Sequence, residues 1–344
     1  MIRQVGCVLA LGLLLGCNRD DGSGLDVPDA GAADVGPQFL PIAVEGLSDP
    51  KPNFFGIWGT STSDFFLVGE RGTIAHWDGS AWALQPTPPG TPDLRSVWGR
   101  KTMGDLPAAD DVWAVGNGGT ILHYTQGSWV AETTTITNDF HAVAGRGGGS
   151  ARVWAVGVDG VVATKDLAAP TARWVQQRAD TFETLNGLWI RGDDGVAVGN
   201  LGAILRYDNG SGTWNRQFIA GLVSPLQGVW GTGPDQLWIV GLDGLVMRSS
   251  GTDFEEVTGA PRVYLRKVAG LGFGEVYFTG WGGVIGNAHG SEVLAFDQFS
   301  DHRLEGIWAT TQEEPVDPND PDAGVYERPR YYIVGVTGTV LLGP

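Results

Sequence analysis

Short apolar runs recur along most of this chain, and each run ends at glycine or at another small or polar residue. The clearest run is an opening of six residues, which reads FFGIWG from Phe54 and LRSVWG from Leu94. Units that recur at a fixed period bury their apolar faces against one another, which is typical of repeat architectures. The openings lie 39 to 46 residues apart and begin at Phe54, Leu94, Phe140, Leu185, Leu226, Leu265 and Leu304.

Each repeat contains up to four such runs. The second run ends in a small turn, as in VWAVGNGG and LWIVGLDG, and the third run follows at once, as in GTILHY and GAILRY. A small polar turn and an aromatic residue then open a fourth run in most repeats. Short runs rich in Val, Ile, Tyr and Trp predict β-strands. Four of them per repeat predict one antiparallel propeller blade.

Two positions of the repeat have a clear structural interpretation. A glycine recurs between the second and third runs, where a hairpin turn needs a positive φ that glycine adopts without steric cost. A tryptophan stands at the fifth position of five openings, and we expect it to pack between adjacent blades because large aromatic side chains dominate protein cores. The recurring glycines are Gly72, Gly119, Gly160, Gly202, Gly244, Gly283 and Gly338.

The seventh repeat ends after its third run, which reads GTVLLGP. The segment FLPIAVEG, residues 39–46, precedes the first opening and resembles the fourth runs of other repeats. We expect this segment to complete blade 7, since a sheet with a long free edge is prone to unwanted pairing. The predicted fold is therefore all-β: a seven-bladed β-propeller of residues 39–344, closed by an N-terminal outer strand.

The composition agrees with many tight turns between short strands. The chain has 54 glycines and 14 tryptophans, and 18% of its residues are charged. Collagen would need glycine at every third position, and a disordered chain would have few aromatic residues. Its net charge of −17 argues against nucleic acid as a partner, because that partner requires a basic face.

Residues 1–17 have the pattern of an export signal. Arg3 supplies a positive charge, and the apolar run that follows is shorter than the roughly 20 residues that span a bilayer. The run ends in Leu14-Leu15-Gly16-Cys17, which resembles the lipobox of bacterial lipoproteins. That resemblance implies cleavage before Cys17 and a diacylglycerol on its thiol; an ordinary signal with a chance cysteine is the alternative.

Residues 18–38 are small, acidic and without periodicity, as expected of a flexible tether. Cys7 would leave with the signal and Cys17 would be acylated, so the mature protein would contain no disulfide. We therefore expect a protein of the bacterial cell envelope that is lipid-anchored at the outer membrane and faces the periplasm or the cell surface.

The pattern VWG…DVWAVG…GTILHY…GSW resembles Asp-box (BNR-like) propeller repeats and, more closely, the repeats of photosystem II assembly-factor propellers. The resemblance covers Phe39 to Pro344. The Asp-box itself reads S-x-D-x-G-x-x-W, and the segments from Asp78 to Trp82 and from Asp208 to Trp214 match it in part. In that family the box is a structural turn, so the resemblance implies the fold and not an activity.

A sialidase-like glycoside hydrolase is the enzymatic alternative, because sialidases share the Asp-box propeller. Their chemistry uses converging arginines, whose planar guanidinium groups suit a substrate carboxylate. The arginine-containing N-terminal motif of that family is missing here, and its propellers normally have six blades. We therefore predict no enzymatic activity and no catalytic residues; rim carboxylates such as Glu70 and Asp243 would carry the alternative.

The sequence predicts no metal ion and no cofactor. His76 and His123 hold the same slot in consecutive blades, where Arg206 and Arg248 also occur, and this indicates an exposed strand position. Zinc, phosphate-loop and dinucleotide motifs are absent from the sequence. Two insertions, residues 100–109 and 312–330, follow first runs and should share one face. The acidic second insertion predicts a solvated loop, and whether it binds a cation stays open.

The most variable positions of the repeat suggest a binding rim at one end of the propeller, which we call the top face. The second residue of each opening stands where an inner strand begins; these residues are Phe55, Arg95, His141, Asn186, Gln227, Arg266 and Glu305. The turns after the second strands should lie nearby, with Glu70, Arg71, Asn117, Asp159, Asn200, Asp243 and Trp281.

The function that these observations favour is non-enzymatic: an envelope-anchored module that binds a protein or a glycan through its top face. An exposed tryptophan such as Trp281 is a frequent anchor for a partner. An assembly factor for a membrane complex, by analogy with the photosystem family, is a second alternative. The sequence leaves open the ligand, which membrane and leaflet hold the anchor, and the oligomeric state.

Overall fold

The short apolar runs form seven four-stranded antiparallel sheets in the part of the chain that the structure describes. The structure is a computed structural model and describes residues 38–100, 111–146, 151–169, 171–251, 253–299, 302–317 and 320–343. Cys17 with the predicted signal, residues 18–37 and residues 101–110 lie outside the described residues. The sheets are the blades of a β-propeller, and the predicted fold class is confirmed.

The inner and second strands of each blade form an antiparallel pair. The inner strands, in blade order, are Phe54–Ser61, Leu94–Gly99, Phe140–Arg146, Leu185–Arg191, Leu226–Gly233, Leu265–Gly272 and Leu304–Asp317. The second strands are Asp64–Gly69, Val112–Gly116, Arg152–Gly157, Asp194–Gly199, Gln236–Gly241, Glu275–Gly280 and Asp320–Gly335.

The third and outer strands complete each sheet. The third strands are Ile74–Trp77, Ile121–Thr125, Val162–Asp166, Ile204–Asp208, Val246–Ser250, Val284–His289 and Val340–Gly343. The outer strands are Trp82–Gln85, Ser128–Ala131, Val175–Gln176, Thr213–Gln217, Asp253–Glu256 and Glu292–Gln298 in blades 1 to 6, and Leu40–Pro41 in blade 7. Among the described residues, no helix has the length and apolar character needed to cross a bilayer.

Tight turns of one type join the second and third strands, and two consecutive residues in each turn have positive φ. In blade 1 these residues are Arg71 at 53° and Gly72 at 68°, and a backbone hydrogen bond of 2.9 Å closes the turn. This is the geometry of a type I′ hairpin turn. The turns are Glu70–Gly72, Asn117–Gly119, Val158–Gly160, Asn200–Gly202, Leu242–Gly244, Trp281–Gly283 and Val336–Gly338.

The ring is closed by pairing of the two ends of the described chain. Inner strands of neighbouring blades contact each other around the whole ring, including those of blades 7 and 1. Leu40 pairs with Leu342, and Pro41 pairs with Leu341. The predicted closure is confirmed, although the paired strand is shorter than the segment 39–46. Phe39 adds an apolar contact, because its ring occupies the space that a side chain on Gly343 would need.

The apolar core lies between the blades, as the repeated tryptophans predict. A Cβ atom on Gly145 would lie 2.5 Å from the indole of Trp98 in the preceding blade. Trp58 and Gly99 repeat this arrangement at the same distance. Trp113 on a second strand is 1% exposed at the seam between blades 2 and 3. Indole packed on glycine therefore sets how closely neighbouring blades approach.

The acidic insertion of blade 7 is a β-hairpin, so the predicted loop is wrong, although most of its described residues are exposed to solvent. The inner and second strands of this blade continue through it, and Glu314 pairs with Tyr326 across the ladder. The Tyr326 hydroxyl donates to Glu314 at 2.9 Å, and Arg328 and Arg330 form ion pairs with the same carboxylate. The prolines are tolerated because each strand of a two-stranded extension has a free edge. The side chains of Asp317, Asp320 and Asp322 lie outside the described part.

The histidine slot on the third strands is half-buried, so the predicted exposed position is also wrong. His76 hydrogen bonds to Asp64 at 2.7 Å, and His123 hydrogen bonds to Asp111 at 2.9 Å. Asp64 begins the second strand of blade 1, and Asp111 directly precedes the second strand of blade 2. Both imidazoles stack on aromatic rings, 4.1 Å from the ring centre in blade 1 and 4.5 Å in blade 2.

Blade 2 extends this pair into a larger polar network at its seam with blade 3. Glu132 contacts His123 at 3.2 Å and Lys165 at 2.7 Å, and it accepts a hydrogen bond of 2.6 Å from the Trp174 indole. Burial opposes the charge on Glu132, but His123 and Lys165 outweigh it and lower the pKa of this carboxyl to about 2. The charges at this seam are therefore matched.

Candidate functional site

The second residues of the seven inner strands surround one cavity of about 400 Å³ at the top face. Each inner strand has a register shift between its first and third residues, so its second residue is the extra residue of a β-bulge. Bulges redirect a side chain out of the regular ladder. The residues that line the cavity in this way are Phe55, Arg95, His141, Asn186, Gln227, Arg266 and Glu305.

Two arginines of this set are fixed by neighbouring polar side chains. Arg266 donates from Nε to Glu305 at 2.8 Å and from Nη1 to Gln227 at 2.9 Å. Arg95 donates from Nε to the amide oxygen of Asn117 at 3.1 Å. Of the described residues that line the cavity, Glu305 is the one carboxylate, and it is engaged in an ion pair with Arg266.

His141 and Asn186 form the uncharged part of the wall. His141 Nδ1 lies 3.2 Å from the amide oxygen of Asn186, and the amide nitrogen of Asn186 donates to the amide oxygen of Asn200 at 3.0 Å. Burial lowers the pKa of His141, and the positive charges of the neighbouring lysine and arginines lower it further. The imidazole is therefore neutral at pH 7, so it adds hydrogen-bonding capacity without charge.

Lys267 lines both this cavity and the narrower channel of about 140 Å³ beneath it, so it forms the floor of the mouth. Its Nζ donates to the backbone carbonyl of Asn186, on the other side of the channel, at 3.4 Å. Burial lowers the pKa of Lys267 to about 8; the charge of Arg266 acts in the same direction, and Glu305 opposes it.

Sequence reasoning missed Lys267, although the repeat contains a signal for it. Inner strands approach closely at their third residues: a Cβ on Gly228 would lie 3.0 Å from the backbone of the next inner strand. A long cation in this slot therefore departs from the packing pattern of the repeat. The other blades have small residues there, namely Gly56, Ser96, Ala142, Gly187, Gly228 and Gly306.

The predicted turn residues fall into two groups. Asn200 lines the cavity and Asn117 holds Arg95, whereas the remaining turn residues do not line the cavity. Trp281 is 43% exposed and stacks at 4.9 Å on Tyr264, which does line the cavity. The turn residues away from the cavity are Glu70, Arg71, Asp159, Asp243 and Trp281.

Exposed apolar side chains on the top face were not foreseen from the sequence. Phe182 is 91% exposed and Phe218 is 79% exposed, and both lie on connections from an outer strand to the next inner strand. Leu201 and Val223 are also exposed on blade 4. Aromatic side chains are enriched at protein-binding surfaces.

The geometry gives no support to a glycosidase site. Glu70 accepts a hydrogen bond of 2.5 Å from the Asn53 amide and does not line the cavity, and Asp243 does not line it either. Retaining and inverting glycosidases need two carboxyl groups that face the same bond. Within the described ranges, no cluster of three or more His, Cys, Asp or Glu side chains could hold a metal ion.

Comparison with known proteins yields structural neighbours but no family. No known family model matches the chain, and no curated protein matches it. The structure titled "YCF48 bound to D1 peptide" has a TM-score of 0.61 at 14% identity and covers 89% of this chain and 94% of its own. YCF48 from Cyanidioschyzon merolae has a TM-score of 0.63 at 14% identity, with coverages of 88% and 98%. The WD40 propeller domain of Doa1 has a TM-score of 0.64 at 10% identity, with coverages of 89% and 97%.

At these identities the likeness shows the propeller fold alone. The resemblance to photosystem II assembly-factor propellers is confirmed at the level of the fold, since YCF48 is such a factor. The resemblances to Asp-box repeats and to bacterial lipoproteins stay predictions.

Proposed function

We propose that this chain is a non-enzymatic binding module, held at the bacterial cell envelope through an acylated Cys17, that engages a protein partner with its top face. The observation that carries the proposal is the cavity lined by the second residues of all seven inner strands, with the exposed Trp281 stacked on its lining residue Tyr264. A protein is favoured over a glycan because Phe182 and Phe218 offer apolar surface beyond the cavity.

The top face is tested by capture from envelope extracts with the full-length chain. An Arg95→Ala/Trp281→Ala double variant should lose the captured protein, because it removes a cation and an exposed aromatic anchor. The matched control is Val325→Ala/Tyr326→Ala, which removes exposed apolar side chains of the blade 7 hairpin at the opposite end. Equal capture by the double variant and the wild type would contradict the proposal. Glycan-array binding that depends on Trp281, without protein capture, would replace the protein by a glycan.

The anchor is tested separately. A Cys17→Ser variant should move from the membrane fraction to the soluble fraction and should not incorporate radiolabelled fatty acid, because it lacks the thiol that is acylated. Membrane retention of this variant would contradict lipidation at Cys17.

An assembly factor for a membrane complex is a second candidate, supported by the likeness to YCF48 bound to a peptide. It predicts that the captured protein is an immature subunit, present in newly made complexes and absent from mature ones. Pulse-labelling before capture distinguishes this candidate from a permanent scaffold.

A further inference from the structure

We propose that the mouth of the central channel binds a carboxylate of the partner polypeptide, between Lys267 at the floor and Arg95 and Arg266 at the wall. This inference rests on the proposed function and names the chemical group that the top face recognises. The group is either a C-terminal carboxylate or an acidic side chain, and the experiment below separates the two.

Charge is the first observation that supports an anionic ligand. Three cations and one carboxylate line the cavity, which leaves a formal charge of 3 − 1 = +2 in a chain whose net charge is −17. Glu305 is already paired with Arg266 at 2.8 Å, and His141 is neutral at pH 7. The channel mouth is therefore a local positive region that would attract an anion and repel a cation.

Incomplete pairing at Lys267 is the second observation. No carboxylate of the described residues forms an ion pair with its ammonium group, whose described hydrogen bond is to the Asn186 carbonyl at 3.4 Å. An ammonium group has three N–H donors, and a cation that is withdrawn from water is unfavourable unless it is paired. A bound carboxylate would supply the missing acceptor.

The arginines are placed to assist. Arg266 uses Nε and Nη1 for Glu305 and Gln227, and Arg95 uses Nε and Nη2 for Asn117 and Asp93. Each guanidinium keeps one terminal nitrogen without a described hydrogen bond. Charge-assisted hydrogen bonds to a carboxylate are among the stronger ones in proteins. A cavity of about 400 Å³ is at the small end of ligand pockets, so it suits one or two residues of a partner.

We expect that replacing Lys267 disables the carboxylate site and leaves the fold intact. The slot of Lys267 is occupied by glycine in four blades and by serine or alanine in two. Lys267→Gly therefore restores the residue that the repeat uses elsewhere. Lys267→Arg keeps the charge and is the matched control.

Direct binding is measured by calorimetry on the full-length chain with four short probes. Acetyl-tetraglutamate amide carries acidic side chains alone, acetyl-tetraglutamine free acid carries a terminal carboxylate alone, acetyl-tetraglutamine amide carries neither, and glutarate is a small dicarboxylate. We expect at least tenfold tighter binding of one carboxylate peptide than of the neutral amide. The better of the first two probes identifies the source of the carboxylate. Glutarate as the tightest binder would overturn a polypeptide ligand in favour of a free small anion.

Lys267 itself reports on occupancy, because the chain has four lysines, Lys51, Lys101, Lys165 and Lys267. An amine acylation reagent at pH 8 should label Lys267, and the bound carboxylate peptide should protect it while exposed Lys51 stays reactive. Lys267→Gly should weaken peptide binding at least tenfold with an unchanged melting temperature, and Lys267→Arg should restore most of it. Affinity should fall as pH rises through about 8, where the ammonium group beside Arg266, Glu305, Arg95 and His141 loses its proton.

Equal affinity for the charged and neutral peptides, or full binding by Lys267→Gly, would overturn the carboxylate site. Partner capture that persists in Lys267→Gly but is lost in Arg95→Ala/Trp281→Ala would overturn this inference and leave the proposed function intact. Capture that is unaffected by either variant would overturn the proposed function itself.

Discussion

The seams between blades and the mouth of the channel are built from the same repeat, yet they differ in almost every physical property. At the seams most positions are apolar and recur from blade to blade, as with the buried Trp113 and with Trp98, which packs on Gly145. At the mouth each blade contributes one residue on a β-bulge, and these residues vary from blade to blade; six of the seven are polar or charged. Positions that repeat hold the ring together, and positions that do not repeat give the molecule one distinct end.

The two regions also treat charge differently. In the network at the seam of blades 2 and 3, Glu132 contacts both His123 and Lys165, and Asp111 pairs with Arg100. At the mouth, Lys267 lacks a carboxylate among the described residues. A matched network stabilises the protein that contains it, whereas an unmatched cation favours a partner.

The largest effect on stability is expected from a cavity at a seam between two blades. Trp113→Ala should lower the free energy of unfolding by about 3–5 kcal/mol, because it removes a large buried ring and leaves a void. Phe182→Ala is the matched control on the top face; at 91% exposure its ring should contribute less than about 0.5 kcal/mol. Chemical denaturation measures both. A similar loss in the two variants would show that the seams do not carry the stability of the ring.

Overpacking the seam between blades 2 and 3 should lower the free energy of unfolding somewhat less than a cavity does. Gly145→Ala would place a methyl group 2.5 Å from the Trp98 indole and should lower the free energy of unfolding by about 2–3 kcal/mol. Gly272→Ala, whose Cβ would meet nothing within 4 Å, should change it little. Unfolding midpoints of the two variants give the measurement, and equal midpoints would contradict close packing at the seam.

The pH dependence of stability tests the charged network at the seam between blades 2 and 3. Burial opposes a charged His123, but hydrogen bonds to Asp111 and Glu132 outweigh it and raise the pKa of this imidazole. The stability that its positive charge contributes is therefore complete below about pH 6.5 and is lost as pH rises through the higher folded pKa. His123→Gln should be about 2 kcal/mol less stable than the wild type at pH 6. The difference should shrink toward pH 9, and a difference that grows with pH would be contrary to this sign.

The smallest effect is expected at the mouth. Lys267→Gly should change the free energy of unfolding by less than about 0.5 kcal/mol or raise it, because the desolvated ammonium group contributes no ion pair to the fold. Thermal unfolding at pH 7 is the measurement. A large loss of stability would mean that Lys267 stabilises the channel through its packing and does not serve mainly to bind a ligand.

The sequence predicts the ring because packing between blades depends on residues that recur at one period. Seven openings, seven turn glycines and one displaced strand are enough to number the blades and to close them. The second positions could also be recognised as candidates, since their variation contrasts with the constant neighbours.

Other features depend on register and on contacts that a linear pattern does not contain. The hydrogen bond between Asp64 and His76 follows only once the register of the second and third strands is known. In that register the His76 side chain is half-buried instead of exposed. Lys267 stands at a position that holds a small residue in the other six blades, and only the arrangement of the inner strands shows that this one exception lines the channel. The hairpin of blade 7 was obscured by its prolines, which two-stranded ladders tolerate.

The strand Leu40–Pro41 has a consequence for the order in which the protein can form. Blades 1 to 6 are each built from four consecutive strands, so each can assemble from nearby chain soon after synthesis. Blade 7 cannot, because its outermost strand is translated before every other part of the ring and its remaining three strands are translated last. The sheet of blade 7 is therefore complete only when the two ends of the described chain have met, and this pairing spans about 300 residues of sequence.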